Sequence, residues 1–200
     1  KDKILYSSHH LSHCLYGSLY TDNIYDYAFI SCDGVGEGET MTIYTINSEN
    51  LIKKHWTNFY PNSIGLFYST ITDFLGFDIN DGEFKVMSLS SYGNPIFEKE
   101  MDKIFDYEQL KINLSYFEFH KNPERSFSEK LIKILGQPYL NLAIKENFEK
   151  YSNIASSAQL ILNKSVKNLI LKAKQLTGRN KIVLTGGVAL NCKMVHDLSK

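Results

Sequence analysis

The sequence feature that most constrains the fold is a long amphipathic segment, Tyr151 to Leu176, that is followed by a strand pattern. Its apolar residues recur at helical spacing, which predicts one long helix with a single buried face. Gly178 marks the end of this helix, and Lys181–Thr185 has the short apolar pattern of a strand. Helices and strands that alternate along a chain in this way predict an α/β or α+β fold.

The first ninety residues show the same alternation of helix and strand patterns. Ile96 to Glu149 has no clear motif. The predicted elements are a helix over His9–Tyr20, a strand over Asp26–Cys32, a turn over Asp33–Gly38, strands over Met41–Ile46 and Ile52–Tyr60, and helices over Ile64–Leu75, Phe84–Ser91 and Val188–Leu198.

Composition and charge exclude several functional classes. Hydrophobic residues make up 43% of the 200 residues, which is enough to rule out a disordered tail. Lys and Arg number 22 against 22 Asp and Glu, so there is no basic excess to support a nucleic-acid partner or an anionic membrane surface. No apolar run is long enough for a membrane helix. Three cysteines without C-x-x-C spacing argue against a disulfide framework, and a cytoplasmic location is expected.

The segment His9-His10-Leu11-Ser12-His13 is the first candidate site. His9 and His13 are four residues apart, so on a helix both project from one face and can hold the same divalent metal. The alternative is a helix that carries surface histidines by chance. His10 points away from this pair and is expected to contact substrate or to support the ligands. Asp33, at the end of the next strand, can complete a metal site, although an ordinary hairpin turn explains Asp-Gly equally well.

Three glycine-containing segments are candidates for nucleotide binding. The glycines after Asp33 expose backbone N–H groups that can face a phosphate. Gly186-Gly187 lies between a strand and a helix, where a nucleotide can approach the backbone, but a tight turn fits the same residues. The segment Asn80–Lys85 mixes acidic and basic side chains beside a glycine, and composition alone favours a solvated linker there.

Several stretches, taken together and in order, resemble one family. They are His9–His13, Cys32–Glu37, Ser63–Tyr68 leading to Leu75-Gly76-Phe77, Gly82–Gly93 and Gly186–Cys192. This set resembles the NodU/CmcH carbamoyltransferase family of ATP-dependent O-carbamoyltransferases, with Ile96 to Glu149 only loosely similar. The chain departs from the family at Ser88–Ser91, where Gly-Leu-Ala-Pro is usual, and at Val195, where Asn is usual.

The resemblance implies an incomplete actin-like ATPase fold, of the type found in actin, sugar kinases and heat-shock chaperones. It implies that carbamoyl phosphate and ATP give carbamoyl-adenylate, from which the carbamoyl group passes to a hydroxyl of a small-molecule acceptor. It further implies that His9, His13 and Asp33 bind a divalent metal, iron above all, and that His13, Asp33 and His10 are catalytic. The residues implied to bind nucleotide are Gly34, Gly36, Gly82, Glu83, Lys85, Gly186, Gly187 and Asn191.

By the same resemblance, residues 1–200 are the central segment of the family's N-terminal domain. An earlier half-lobe and a C-terminal adenylate-forming domain would then be the partners that these residues need, and we expect this segment alone to be inactive. We also expect the turns at Asp33-Gly34 and Gly186-Gly187 to face each other across one cleft. Two alternatives stay open: a transferase of the tRNA threonylcarbamoyl-adenosine type, which also has two histidines at this spacing, and a non-catalytic nucleotide-binding remnant.

Overall fold

The computed structural model describes residues 6–200, which form two compact units. The sheet unit contains the chain up to Gly65 and Leu169–Leu190, and the helical unit contains Leu66–Asn168 and Asn191–Lys200. Over residues 6–200, no helix has both the length and the apolar character needed to cross a bilayer.

Strands and helices alternate along the described chain, as the sequence predicts. The helices are α1 (His9–Ser18), α2 (Ile64–Phe74), α3 (Glu83–Leu89), α4 (Glu98–Ile104), α5 (Glu129–Leu135), α6 (Lys145–Thr177) and α7 (Cys192–Leu198). The strands are β1 (Tyr27–Gly36), β2 (Glu39–Ile46), β3 (Ile52–Phe59), β4 (Phe105–Asp106), β5 (Lys111–Ile112) and β6 (Lys181–Thr185). The mixed α/β class is therefore confirmed.

A four-stranded mixed sheet forms the centre of the sheet unit, in the order β3-β2-β1-β6. The first three strands pair antiparallel, whereas β6 pairs parallel to β1 from Tyr27↔Lys181 to Ser31↔Thr185. Because β1 and β6 run in the same direction, β6 ends beside Ser31, and β1 continues past that end to Gly36. In sheets of this kind, ligands bind beyond the carboxyl ends of the strands.

Helix α1 packs on one face of this sheet. Its Cys14 is fully buried in a cluster with Phe29 of β1 and with Tyr44 and Ile46 of β2. Gly17 permits the close approach of the helix, since a Cβ there would lie 2.7 Å from Thr185 Cγ2. The packing of α1 therefore fixes which of its side chains point toward the end of β1.

The turn predicted over Asp33–Gly38 is shorter than expected. Strand β1 continues to Gly36, and only Glu37 and Gly38 form the turn to β2. Both have positive φ, 53° for Glu37 and 90° for Gly38, which is the backbone of a type I′ hairpin turn. Asp33 is thus a strand residue, and the glycines that follow it serve a different purpose, described below.

Three other boundaries differ from the prediction. Helix α6 begins at Lys145, six residues before Tyr151, because polar residues extend it beyond its apolar face. The single helix predicted over Val188–Leu198 is a 3₁₀ turn at Gly187–Leu190 followed by α7, which begins when the Asn191 side chain caps it. The segment Ile96 to Glu149 contains only short elements, of two to seven residues, before α6 begins.

The helical unit is built on the buried face of α6. The predicted apolar positions Ile154, Ala158 and Ile161 are fully buried there. A Cβ at Gly93 would lie 2.1 Å from the Ser152 backbone, so the chain after α3 passes directly against α6. The amphipathic pattern thus correctly predicts which side of this helix forms the core.

Candidate metal centre

Two histidines and an aspartate converge at the end of β1 in the sheet unit. His9 and His13 lie one turn apart at the start of α1, and Asp33 comes from β1. The β1–β2 ladder is irregular here: Cys32 pairs with Met41 and Gly36 with Glu39, so β1 advances four residues while β2 advances two. An irregularity of this kind redirects the side chains of the longer strand. It lies at Asp33, whose carboxylate contacts both histidines.

The three ligand atoms lie close to one another. Asp33 Oδ2 is 3.0 Å from His9 Nε2 and 3.0 Å from His13 Nε2, and the two nitrogens are 3.2 Å apart. Hydrogen bonds alone cannot account for all three contacts, because each imidazole Nε2 carries at most one hydrogen. If both nitrogens donate to Asp33, nothing joins them to each other. If one donates to the other, the acceptor faces the carboxylate with a lone pair. A single cation at the centre satisfies all three atoms.

The spacing also fits a metal ion. Metal–ligand bonds of about 2.1 Å place two ligand atoms about 3.0 Å apart at a right angle and about 3.4 Å apart at the tetrahedral angle. The observed separations of 3.0 to 3.2 Å match the right-angled arrangement. Two imidazoles and one carboxylate arranged in this way are a donor set that suits iron(II) and similar divalent ions. The residues present therefore fit the metal that the sequence analysis expects.

Glycines make room for the three ligands. A Cβ at Gly36 would lie 2.2 Å from His9 Cδ2, so the His9 ring rests directly on the backbone of β1. A Cβ at Gly187 would lie 2.8 Å from Asp33 Oδ1, and one at Gly65 would lie 2.8 Å from the Asp33 carbonyl oxygen. Gly36 and Gly187 therefore line the His9–His13–Asp33 cluster, and in these contacts they provide space and not a bond to nucleotide.

The environment of Asp33 keeps its carboxylate ionised. Partial burial raises its pKa, but hydrogen bonding to His9 and to the Gly34 N–H outweighs burial, and the pKa lies below its ordinary value. The Gly34 N–H donates to Oδ1 at 2.9 Å, which leaves Oδ2 for the histidines. The Ser63 hydroxyl donates to the Asp33 carbonyl at 3.1 Å and fixes the backbone. Asp33 is thus both charged and held in place as a ligand.

His10 lies on a different side of α1 from the two ligand histidines. Its side chain is fully buried, with Nε2 3.0 Å from the Glu39 carbonyl oxygen and Nδ1 3.3 Å from Thr42 Oγ1. Burial lowers the pKa of the ring, although the bond to Glu39 raises it in part, and the imidazole is neutral at pH 7. With no exposed edge, His10 cannot touch a substrate. In place of the predicted catalytic role, His10 makes a structural contact with β2, which agrees with the supporting role also expected from the sequence.

The residues predicted to bind nucleotide divide between the two units. Gly34, Gly36, Gly186 and Gly187 belong to the sheet unit, whereas Gly82, Glu83, Lys85 and Asn191 belong to the helical unit. Within the sheet unit, Asp33-Gly34, which is part of β1 and not a turn, lies together with the Gly186-Gly187 turn. They touch directly instead of facing each other across a cleft, since a Cβ at Gly186 would lie 2.3 Å from the Cys32 carbonyl oxygen. The reason is that β1 and β6 are adjacent strands.

Glu83 and Lys85 lie at the start of α3. Glu83 Oε1 accepts hydrogen bonds from Ser69 Oγ at 2.7 Å and from the Asn80 N–H at 3.1 Å. Lys85 is exposed, and its ammonium lies 5.8 Å from the centre of the Phe77 ring. A Cβ at Gly82 would lie 2.5 Å from Phe77 Cβ, which explains the glycine by close packing. Of these residues, Lys85 has the side chain that is available to an anion.

Asn191 is held by a polar network that no local sequence pattern predicts. Its side-chain amide exchanges two hydrogen bonds of 3.0 Å with Gln159 of α6, and its oxygen also accepts from the Met194 N–H. The Tyr68 hydroxyl donates to Gln159 Oε1 at 2.9 Å. One feature of the sequence could have indicated this network: Gln159 is a polar residue on the apolar face of α6. Likewise, Gly65 in the first turn of α2, where glycine disfavours a helix, could have indicated the close approach to Asp33.

Comparison with known proteins places this chain in a family. The sequence matches the family described as "Carbamoyltransferase N-terminus" over residues 1–200. It is 31% identical over 194 residues to an uncharacterized protein of Synechocystis, covering 94% of this chain and 31% of that protein. It is 32% identical over 203 residues to an uncharacterized protein of Methanocaldococcus jannaschii, covering 96% of this chain and 35% of that one.

One relative with a descriptive name is the nodulation protein NolNO of Sinorhizobium fredii. It is 25% identical over 193 residues, which cover 96% of this chain and 26% of NolNO. The chain thus spans about a third or less of the length of these relatives. The match over all 200 residues confirms the resemblance seen in the motifs, and this chain belongs to the carbamoyltransferase N-terminus family.

Proposed function

We propose that the protein containing this chain is an ATP-dependent O-carbamoyltransferase. It takes the carbamoyl group from carbamoyl phosphate, by way of carbamoyl-adenylate, and transfers it to a hydroxyl of a small molecule. In the transfer step the bond from the carbonyl carbon to the adenylate oxygen breaks, a bond to the acceptor oxygen forms, and the hydroxyl loses its proton. The observation that carries the proposal is the convergence of His9, His13 and Asp33, in a chain of this family.

In this proposal His9, His13 and Asp33 hold a divalent metal, with iron as the first choice. When bound, such a metal supplies Lewis acidity that polarises a carbonyl oxygen. His9 and His13 direct their Nε2 atoms at one point, and Asp33 adds a negative charge that lowers the net charge of the centre. The Gly34 N–H and the Ser63 hydroxyl hold Asp33 in position.

The nucleotide belongs, in this proposal, beyond the carboxyl ends of β1 and β6, within an actin-like fold. The support is that the Gly186-Gly187 turn follows β6 and lies against the part of β1 that contains Asp33 and Gly34. Strand ends that carry glycines let phosphate groups approach backbone N–H donors.

The test is carbamoyl transfer by the intact protein that contains this chain, assayed with iron(II), ATP, carbamoyl phosphate and a panel of hydroxylated acceptors. We expect His13→Ala to lose metal binding and at least a hundredfold in transfer rate. His196→Ala is the matched control, because His196 is an exposed histidine that contributes no atom to the His9–His13–Asp33 cluster. Full transfer by His13→Ala, or carbamoylation of a tRNA in place of a small molecule, would contradict the proposal.

A further inference from the structure

His10 ties the first turn of α1 to the hairpin that carries Asp33. The Glu39 carbonyl can only accept a hydrogen bond, so the 3.0 Å contact places the hydrogen on His10 Nε2. The Nδ1 lone pair then accepts from the Thr42 hydroxyl at 3.3 Å. Both ring nitrogens are used and the ring is fully buried. The position of α1 is thereby fixed to two residues of β2.

This tie is adjacent to the metal ligands in both sequence and space. His9 and His10 have ring centres 5.5 Å apart. Glu39, whose carbonyl accepts the hydrogen bond from His10, pairs with Gly36 in the β1–β2 ladder. The His9 ring rests on Gly36. Consecutive residues of α1 therefore contact the two members of one strand pair. Sliding or rotating α1 would break the His10 bonds and shift the His9 ring at the same time.

Apart from His10, the first turn of α1 is held by Leu11, which packs against the cluster of Cys14, Phe29, Tyr44 and Ile46. Ser8 stands at the N-cap position without a side-chain capping bond. The Ser12 hydroxyl bonds within the helix, to the Ser8 carbonyl. The Cys14 and Gly17 contacts with the sheet lie further along the helix. Leu11 supplies an apolar contact, whereas His10 supplies a fully buried contact with two directional hydrogen bonds in the turn that carries His9.

We propose that His10 is a positioning residue, which holds α1 on β2 so that His9 and His13 present their Nε2 atoms to the metal beside Asp33. This inference rests on the proposed function, since it presupposes that the three residues bind a metal. Residues that support metal ligands typically change metal affinity by 10- to 100-fold when they are replaced.

The experiment measures manganese(II) affinity and stoichiometry by calorimetry, with the intact protein that contains this chain. His10→Leu keeps an apolar group of similar size but removes both hydrogen bonds, and we expect at least tenfold weaker binding. His10→Gln retains a donor near the position of Nε2, and we expect it to restore most of the affinity. Neither variant removes a metal ligand, so one ion should still bind this centre at saturation.

His55→Leu is the matched control. His55 Nε2 also lies within 2.8 Å of a β2 threonine, Thr45, so the variant removes a similar bond from the same strand. Thr45 is three residues from Thr42 and points to the opposite face of the sheet. The His55 variant should therefore bind metal as the parent does, even if it unfolds at a lower temperature. A purely structural role for His10 would make the two leucine variants alike.

Two negative results are distinguishable. If the parent protein binds no manganese at this centre, and His13→Ala changes nothing, the proposed function fails. If the parent binds and folded His10→Leu binds equally well, only the positioning role is overturned. Should His10→Leu fail to fold, Thr42→Val keeps the ring and removes one bond. We expect a folded Thr42→Val protein to bind manganese(II) at least about threefold more weakly than the parent. An affinity equal to that of the parent would overturn the inference.

Discussion

Gly36 determines where the His9 ring lies, because glycine has no side chain to occupy that space. The His9 ring occupies the space that a Cβ at this position would take, at 2.2 Å from Cδ2. We expect Gly36→Ala to push the ring away from Asp33 and to weaken metal binding at least tenfold, as measured by calorimetry. Val35→Ala is the control, because Val35 is the exposed neighbour on the same strand. Equal affinity for Gly36→Ala and the parent would show that the ring can relocate without loss.

The three cysteines are expected to differ sharply in reactivity. Cys14 and Cys32 are fully buried, and burial raises the pKa of Cys14 to about 12 and that of Cys32 further still. At pH 8 both are therefore protonated thiols without access to reagent, whereas Cys192 is exposed. Iodoacetamide should label Cys192 alone in the folded protein and all three after unfolding, as read by peptide mass spectrometry. Native labelling of Cys14 would contradict the packing of α1.

The sequence predicts that His9, His13 and Asp33 come together, but not which partners His10 and Asn191 bond to. His9, His13 and Asp33 follow from spacing on a helix and from the end of a strand, both of which are local patterns. The partners of His10 and Asn191 are 29 to 32 residues away, at Glu39, Thr42 and Gln159. Contacts across that separation depend on how elements pack, and no local pattern records them.

The β1–β2 hairpin contains a residue that is strained for its position. Glu37 has a φ of 53°, a left-handed conformation that asparagine adopts at lower cost. Asn-Gly is also the preferred pair for this turn. We expect Glu37→Asn to stabilise the fold by about 0.5 to 1 kcal/mol, which is roughly 1 to 4 °C in Tm.

Thermal unfolding of the chain with and without the substitution checks this expectation. Glu49→Asn is the control, because Glu49 also lies in a turn, between β2 and β3, but does not have positive φ. That variant should gain nothing. A loss of stability in Glu37→Asn would indicate that the Glu37 side chain stabilises the fold by more than its left-handed backbone destabilises it.

Elements with long periodic patterns are predicted well, and elements set by tertiary contacts are not. The start of α2 at Ile64 and the buried face of α6 follow from spacing and agree with the structure. The end of β1 does not follow from the sequence pattern. The glycines after Asp33 indicate a turn, but in the structure they lie within the strand and allow close packing there. Ile96 to Glu149 resists prediction because its helices and strands are too short to show a period.

At the scale of the whole molecule, we expect these 200 residues alone not to turn over ATP and carbamoyl phosphate. The chain covers about a third or less of the curated relatives named above, so the proposed reaction calls for residues outside it. A carbamoyl-transfer assay of the isolated chain, beside the intact protein, measures this directly. Metal-dependent turnover by the isolated chain would show that it already holds the whole catalytic apparatus.

The parallel pairing of β1 with β6 sets a waiting time during synthesis of the protein. The Thr185 hydroxyl bonds to the Ile30 carbonyl, a contact between residues 155 positions apart. A ribosome that adds about 5 to 20 residues per second needs roughly 8 to 30 s to make that stretch. Until then, one edge of β1 is open beside the buried residues Ala28, Phe29 and Ile30, and an open edge of this kind invites pairing with other chains. Asp33 is therefore made early, whereas Gly187, whose backbone lies against the Asp33 carboxylate, is made only at the end of that interval.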